Sequence, residues 1–406
     1  MTRPRTPGAA DAAPVDVTPP QDRAPGAAEV ISTASTPAVV RRAGLSAPRG
    51  SPAGSTLLRH LVLALVGAGL LWLLTGAVSA NSDYQLAFVG MYVCVLAGLT
   101  LLTGLNGQVS LGHAALMGIG AYTVALLQGH WSDRGTTGLW VLPLSLVVAT
   151  LVTAVAGAIV GAAAARLRGP YLAGATLALG VALPAVTVHF SSTFKGDQGL
   201  SVPVDPVPGA LGVDFTPEHW QSWITLSAAL LTLLLLANIV RSRVGRELRA
   251  VRDDEVAARL AGLDVARVQV LAFVISAACA GLGGGLFAVL LQNALPGAFS
   301  LVLSLTLLSG IVIGGLGTLT GAVWGALVVV YLGSKITDFT DGLGLSGAAA
   351  KKLHDNLPGG IYGLLLIVVM IAAPGGIQGL LRLLRRRATH PRSPVRPAPT
   401  DPGGHR

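Results

Sequence analysis

The chain has 406 residues, of which 52% are hydrophobic and only 12% are charged, and its mean hydropathy is +0.67. Soluble domains contain about 25% charged residues, so this composition excludes a soluble enzyme, a nucleic-acid-binding domain and a secreted disulfide scaffold. The net charge of +9 would fit an anionic partner, but its position along the chain indicates a membrane instead. Val268–Ser334 contains no acid, lysine or arginine, and neither does Tyr84–Trp131. One membrane span needs about 20 apolar residues, so these two stretches hold several spans.

Both ends of the chain are polar and lack an apolar run. Residues 1–55 are rich in Pro, Ala, Ser and Thr, and residues 381–406 are basic. Such segments cannot bury enough apolar surface to offset the entropy lost on folding. We therefore predict a disordered cytoplasmic tail over 1–55, a transmembrane domain over 56–380, and a disordered basic cytoplasmic tail over 381–406.

Between the tails, ten apolar segments have the composition of membrane spans, so we predict an all-α polytopic membrane protein with about ten transmembrane helices. The segments are roughly 61–80, 84–103, 109–128, 139–163, 170–189, 221–240, 268–291, 300–314, 318–334 and 358–374. A single helix over 301–332 would be about 48 Å long, whereas the hydrocarbon core is about 30 Å thick. We therefore place a break at 314–317 and, by the same reasoning, another at 104–107. A re-entrant pair at 300–334 is the alternative to two full spans.

The distribution of charge predicts the orientation of these segments. With the N-terminus inside and ten spans, all but five of the 28 lysines and arginines lie on the cytoplasmic side. The five on the outside are Arg134, Lys195, Lys335, Lys351 and Lys352. Lysine and arginine near span ends mark the cytoplasmic face, so both termini are predicted to be cytoplasmic.

Glycines recur every fourth residue within several segments, at Gly157/Gly161, Gly281/Gly285, Gly310/Gly314 and Gly317/Gly321/Gly325. This spacing lines one helix face with small residues and lets helix backbones approach closely. We predict that these helices form the interior of the bundle. Cys94 and Cys279 lie in apolar runs, where a thiol behaves as a small hydrophobe, so neither a disulfide framework nor a metal site is expected.

Ionisable groups are almost absent from the apolar segments, which contain His113 and, near an end, His189. Ion-coupled carriers generally bind the coupling ion with intramembrane carboxylates or basic groups, although Na⁺ sites made by backbone carbonyls are an alternative. No lysine follows a phosphate-loop glycine pattern, so nucleotide hydrolysis is expected on a separate chain. Paired intramembrane Asp, His-Glu-x-x-His and G-x-S-x-G are also missing, so we predict no catalytic residue, no cofactor and no enzyme activity on this chain.

The loop 241–267 is the long, charged cytoplasmic connection between two spans. Glu247–Ala261 is predicted to be one helix, because it contains mostly good helix formers, and Gly262 is placed to end it. Its apolar contacts would come from Leu248, Val251 and Leu260. The pattern fits two interpretations equally, namely a helix that docks on a cytoplasmic partner, or a solvated loop that only follows the positive-inside rule.

Five blocks of sequence resemble branched-chain amino-acid ABC transporter permeases, and the M-type more than the H-type of the paired permeases. The blocks are Leu102–Tyr122 (LTGLNGQVSLGHAALMGIGAY), Gly245–Gly262 (GRELRAVRDDEVAARLAG), Ala272–Gly281 (AFVISAACAG), Ile313–Ala322 (IGGLGTLTGA) and Ala373–Gly376 (APGG). They occur in order and span roughly 85–380, which makes 56–380 a transmembrane permease domain by resemblance.

The resemblance implies an importer in a bacterial cell membrane. Two permeases would form the pore, two cytoplasmic ATP-binding subunits would drive it, and an extracytoplasmic solute-binding protein would deliver the solute, with no nucleic acid involved. By family position, the residues that meet the ATPase are Gly245, Arg246, Arg249, Ala250, Arg252, Glu255, Ala258 and Gly262. The resemblance favours the docking interpretation of the loop.

The block after the first break would line or shape the translocation path, through Gln108, Ser110, Gly112, His113 and Tyr122. The alternative is that its polar side chains bond to backbone groups freed by the break at 104–107. The segments 190–220 and 335–356 would form the landing surface for the solute-binding protein, or be ordinary polar loops. For the solute, urea, short amides or another small polar molecule are the alternatives to branched-chain amino acids, and a secondary carrier is the alternative class.

Overall fold

The computed structural model describes residues 80–136, 138–167, 170–203, 216–342 and 375–389, together with single positions at 67, 69 and between 357 and 371. These residues are mostly helical. The first helices are α1 Ala80–Leu99, α2 His113–Asp133, α3 Val141–Ala164, α4 Pro170–His189, α5 Ser191–Phe194 and α6 Pro217–Arg241. They are followed by α7 Arg243–Asp253, α8 Glu255–Leu260, α9 Val265–Leu291, α10 Leu301–Gly314, α11 Leu319–Gly342 and α12 Gly376–Thr389.

Six of the described helices are long and apolar enough to cross a membrane. They are Ser82–Leu105, Val141–Ala164, Tyr171–His189, Pro217–Arg241, Val265–Leu291 and Leu319–Ile336. The prediction of a helical polytopic membrane protein is therefore confirmed for this part of the chain. The predicted segments 61–80 and 358–374 lie largely outside the described residues, so the count of about ten spans stays a prediction.

Both predicted breaks are present, and glycine backbone conformations produce them. A π-helical turn, Thr100–Leu105, extends α1; the chain is then non-helical over 107–112, where Gly107 has φ of +78°, and α2 begins at His113. Gly315 and Gly317, with φ of +123° and +79°, separate α10 from α11. These φ values lie in the region that favours glycine. α10 has 14 residues and is about 21 Å long, which is shorter than the hydrocarbon core and fits the re-entrant alternative.

The centre of the bundle is α9, which packs against α1, α2 and α3. The contacts occur where side chains are smallest: Gly157 of α3 lies against Ala277, and Gly281 of α9 lies against Thr153. A Cβ atom added at Gly284 would lie closer than 3.0 Å to the backbone of Met117 in α2. Of the glycine-rich helices, α9 forms the interior as predicted, since 67% of its apolar stretch is buried; α3 and α11 are only 22% and 33% buried and lie at the periphery, with glycines at their contacts. The two cysteines, Cys94 and Cys279, are free and buried in this core.

The connections between helices gather at two ends of the bundle. At one end, Arg252 of α7 reaches the backbone of Gly104, Gly104 packs on Gly317, and Gly315 packs on Gly376. All of these connections were predicted to be cytoplasmic. The structure agrees with that prediction in so far as it places them at the same end of the bundle. The assignment of this end to the cytoplasm stays a prediction.

At the other end, short structures join the helices. His219 at the start of α6 bonds to the buried Asp83 of α1 over 3.0 Å. Two short antiparallel strands, β1 Leu200–Ser201 and β2 Asn293–Ala294, join the loop after α4 to the end of α9. This ladder attaches part of the predicted 190–220 landing segment to the end of α9. Of the second predicted landing segment, 335–356, residues 343–356 lie outside the described residues.

One predicted tail is partly helical. We predicted disorder over 381–406, but α12 runs from Gly376 to Thr389, so the prediction is wrong for 381–389. The reason is an amphipathic pattern: leucines at 380, 381, 383 and 384 lie on one face, and Arg382, Arg385 and Arg386 lie on the other. Residues 390–406 and the predicted N-terminal tail 1–55 lie outside the described residues.

Candidate functional site

The loop after α6 folds into two helices, so the prediction of one helix over Glu247–Ala261 is wrong. α7 ends at Asp253 and α8 begins at Glu255, with Asp254 between them in an extended conformation. The Oδ1 atom of Asp254 accepts hydrogen bonds from the backbone N–H of Val256 at 2.8 Å and of Ala257 at 3.0 Å. Aspartate is a preferred N-cap, and here capping starts a second helix. Gly262 ends α8 with φ of +83°, as predicted.

The inner face of this helix pair packs on the chain's own transmembrane helices. Leu248, Val251 and Ala258 are at most 4% exposed, and Gly245 lies directly against the backbone of Val240 in α6. The apolar contacts predicted for Leu248 and Val251 are therefore made within the chain. Leu260, which belongs to the same predicted set, is 86% exposed.

Three hydrogen bonds fix the helix pair to three different parts of the bundle. Arg249 Nη2 donates to the carbonyl oxygen of Val240 over 3.0 Å, and Arg252 Nη1 donates to the carbonyl oxygen of Gly104 over 2.8 Å. On α8, Glu255 accepts a bond from Gln269 Nε2 of α9 over 3.0 Å. The helix pair is thus bonded to the end of α6, to the π-helical turn after α1 and to α9, and a displacement of α7 and α8 together would act on all three.

The outer face of the helix pair is free of the rest of the described chain. Of the eight residues that the sequence assigns to ATPase coupling, Arg246, Ala250, Arg252 and Gly262 are exposed. Arg249, Arg252 and Glu255 make the bonds described above, and Gly245 and Ala258 are buried. Val256 is 66% exposed and lies one helical turn before Leu260. The resemblance did not single out Val256; its spacing of four residues from Leu260 is the signal that could have found it.

The second predicted set of residues lies at the N-terminus of α2, around a buried histidine. His113 is fully buried; its Nδ1 atom lies 3.0 Å from Ser110 Oγ and its Nε2 atom 2.8 Å from Ser276 Oγ of α9. The imidazole therefore joins the non-helical segment 107–112 to the central helix.

Hydroxyl side chains bond to the backbone groups that the break leaves free. Thr103 Oγ1 donates to the Gln108 carbonyl oxygen over 3.1 Å, and the Leu111 N–H donates to Thr176 Oγ1 over 3.0 Å. The Ala114 N–H donates to Ser304 Oγ of α10 over 3.1 Å. The sequence interpretation missed Thr103, Thr176, Ser276 and Ser304. Serine and threonine in apolar helices next to a break were the available signal.

The predicted path residues are enclosed by packing. Ser110, His113 and Tyr122 are at most 3% exposed, and Gly112 lies directly against the backbone of Thr176 in α4. The Tyr122 ring packs against Phe194 and Phe299, with centroid distances of 5.3 and 6.4 Å. Gln108 differs from these four, because it lines a cavity of about 710 Å³ beside α7. The structure thus brings Ser110, Gly112 and His113 together, and places Tyr122 deeper in α2.

A second cavity, of about 610 Å³, lies near the opposite end of the bundle between α1, α10 and α11. Tyr84, Phe88 and Leu303 are among its lining residues, and Gln85 Nε2 donates to Ser334 Oγ over 3.2 Å at its wall. This mixture of apolar walls and a few polar groups is typical of small-molecule sites. Among the described residues, no group of three or more His, Cys, Asp or Glu could hold a metal ion.

Comparison with known proteins identifies the family. The model of the branched-chain amino acid transport system permease component matches residues 81–373. The chain belongs to this family. It is 31% identical over 313 residues to the high-affinity branched-chain amino acid transport system permease protein LivM of Salmonella typhimurium, covering 71% of each chain.

The chain is also similar to two other permeases. The permease LivH of Escherichia coli is 26% identical over 71% of this chain and 91% of its own length. The autoinducer 2 import system permease LsrC of Enterobacter sp. strain 638 is 30% identical over 70% of this chain and 82% of its own length. No solved structure matches. The chain is an M-type permease and a multi-pass protein of the bacterial cell membrane, and the predictions of its family, its location and its lack of enzyme activity are confirmed.

Proposed function

We propose that this chain is one permease of an ATP-driven importer for branched-chain amino acids. It forms the pore with a second permease, as LivM and LivH are distinct permeases of one transport system. Two cytoplasmic ATP-binding subunits drive the cycle, a solute-binding protein delivers the solute from outside, and this chain carries no cofactor of its own.

The helix pair α7–α8 carries the proposal. Its inner face is bonded to the carbonyl oxygens of Gly104 and Val240 and to Gln269, while its outer face exposes Val256 and Leu260 among charged side chains. One face of this element is thus fixed to the bundle, and the other exposes an apolar pair to which a partner protein could bind. A partner bound there could move the element. ATP binding and hydrolysis in that partner would shift α7–α8, and the three hydrogen bonds would transmit the shift to the transmembrane helices.

The proposed solute follows from the relatives. The similarity to LivM and LivH favours branched-chain amino acids. The similarity to LsrC, named as an autoinducer 2 permease, supports a second candidate, namely another small polar solute, such as urea or a short amide. A secondary carrier is disfavoured, because the described spans contain few ionisable side chains that could bind a coupling ion.

The test of this proposal removes the exposed apolar pair without touching the inner face. The double variant Val256→Ser, Leu260→Ser is expected to weaken co-purification of the ATP-binding subunits at least about tenfold, since burial of one such side chain contributes about 1.5–3 kcal/mol. Leucine uptake by the reconstituted complex should fall in parallel. The control is Arg267→Ala, a side chain 88% exposed on the first turn of α9. The proposal fails if the double variant retains the ATPase subunits and transports leucine like the control.

A further inference from the structure

The cavity of about 710 Å³ beside α7 is built from the elements that meet at the coupling end of the bundle. Its volume lies within the range of about 300–1,000 Å³ that is usual for small-molecule sites. One wall is the segment after the π-helical turn, one is the start of α4, and one is the helix pair α7–α8. The lining residues are Asn106, Gly107, Gln108, Val109, Leu167, Leu172, Ala173, Val251, Arg252, Asp253, Asp254, Glu255 and Gln269.

The charges of this cavity have both signs and lie side by side. Arg252 contributes a guanidinium to the lining, and Asp253, Asp254 and Glu255 contribute carboxylates. Arg252 Nη2 is paired with Asp253 Oδ1 over 2.7 Å, so the cation already has one carboxylate partner. Leu167 and Leu172 supply an apolar part of the lining. A cation next to carboxylates, with an aliphatic surface beside them, matches the three parts of an aliphatic α-amino acid: its carboxylate, its ammonium group and its side chain.

Two carboxamides in the cavity wall have unused hydrogen-bonding capacity. Asn106 is 4% exposed, and neither its Nδ2 nor its Oδ1 atom has a hydrogen-bond partner. Gln108 is 6% exposed, and its Oε1 atom is also without a partner. A buried polar group that lacks a partner costs about 1–3 kcal/mol, and the great majority of such groups are bonded. A ligand with donors and acceptors would satisfy these atoms.

We propose that this cavity binds a free α-amino acid zwitterion from the side on which α7–α8 lies. The carboxylate faces Arg252 and the amide N–H of Asn106, and the ammonium group faces Asp254, Glu255 and the Gln108 oxygen. This inference rests on the proposed function, because the ligand is the solute that the importer has released.

Occupancy of the cavity would act on the coupling hydrogen bonds. The Arg252 guanidinium donates to Asp253 Oδ1 through Nε and Nη2 and to the Gly104 carbonyl oxygen through Nη1, so a bound carboxylate competes with both of these acceptors. The amino acid would therefore weaken the link between α7 and the π-helical turn when its concentration on this side is high. The imported product would thereby slow its own import.

Binding is tested by equilibrium dialysis of radiolabelled L-leucine against the purified complex without solute-binding protein. We expect saturable binding in the millimolar range that L-valine displaces. Leucinol, which lacks the carboxylate, and 4-methylpentanoate, which lacks the ammonium group, should compete at least about tenfold less well, since each loses its charged hydrogen bonds. Absence of saturable binding, or equal competition by all three compounds, overturns the proposal.

Two variants at one position identify the cavity as the site. Asn106→Leu and Asn106→Asp should each lower leucine affinity about tenfold, the first by removing the amide and the second by repelling the carboxylate. The control is Thr100→Val, which removes a buried, unpartnered hydroxyl outside the cavity and should leave the affinity unchanged. If both variants bind leucine with the wild-type affinity, the ligand binds elsewhere and the assignment is refuted.

Transport assays separate this inference from the proposed function. Leucine added on the α7–α8 side should lower the ATPase rate of the wild-type complex and leave the rate of Asn106→Leu unchanged. If leucine is imported but neither binds by dialysis nor slows hydrolysis, the inference fails and the proposed function stands. If leucine is not imported, the proposed function fails, and the dialysis experiment decides whether the cavity binds a zwitterion.

Discussion

The hydrogen bond between Arg252 and Gly104 gives the sharpest test of how α7 is linked to the membrane helices. Arg252→Ala removes the 2.8 Å bond from Nη1 to the Gly104 carbonyl oxygen. A hydrogen bond to a charged group contributes about 1.5–3 kcal/mol. The Arg252 side chain is 40% exposed, so we take the lower end, about 1.5 kcal/mol. That energy corresponds to about tenfold in the equilibrium between a linked and an unlinked α7.

The assay measures leucine transported per ATP hydrolysed by the complex in proteoliposomes. We expect Arg252→Ala to lower this ratio, because α7 then moves without moving the π-helical turn, and to raise hydrogen exchange of α7 amides about tenfold. The matched control is Arg243→Ala on the same helix, since Arg243 is 83% exposed and is ion-paired with Glu247 one turn away. Equal transport ratios for Arg252→Ala and Arg243→Ala would refute the proposed link.

Two further predictions concern the packing of α9 and the histidine network. Gly284→Ala should destabilise the protein by about 1–3 kcal/mol, because the added methyl group meets the Met117 backbone, whereas Gly174→Ala, with nothing within 4 Å, should be neutral or slightly stabilising. The apparent melting temperature in detergent measures both, and equal values would contradict the packing. His113→Leu should cost about 2–4 kcal/mol, because the buried hydroxyls of Ser110 and Ser276 lose their partner, and a melting temperature unchanged from the wild type would show that this network does not stabilise the fold.

The helices and their breaks follow from local chemistry, which explains why the sequence predicts them. An apolar run as long as 301–332 exceeds the thickness of the hydrocarbon core, so a break is expected within it. Gly315 and Gly317 adopt the positive φ angles at this break. The family motifs also locate the loop that forms α7 and α8. These features depend on neighbours in the chain, so the order of residues is sufficient to find them.

The rest of the site depends on partners that are distant in the chain. Ser276 and Ser304 lie more than 160 residues after the α2 N-terminus that they contact, and no local pattern indicates that pairing. The break at Asp254 was missed for a different reason: helix propensity favours continuation through Glu255, but the side chain of Asp254 caps a new helix instead. The hydrogen bonds that Arg249 and Arg252 donate to Val240 and Gly104 likewise depend on tertiary structure.

The π-helical turn Thr100–Leu105 makes the position of the Gly104 carbonyl depend on chain length as well as on residue type. A π-helix bonds each residue to the fifth rather than the fourth along the chain, so this turn contains an additional residue. Since each residue of an α-helix turns the backbone by about 100°, deletion of one residue here would rotate the Gly104 carbonyl away from Arg252 without replacing a side chain. If this bond links α7 to the bundle as proposed, deletion of one residue in the turn should impair transport as Arg252→Ala does.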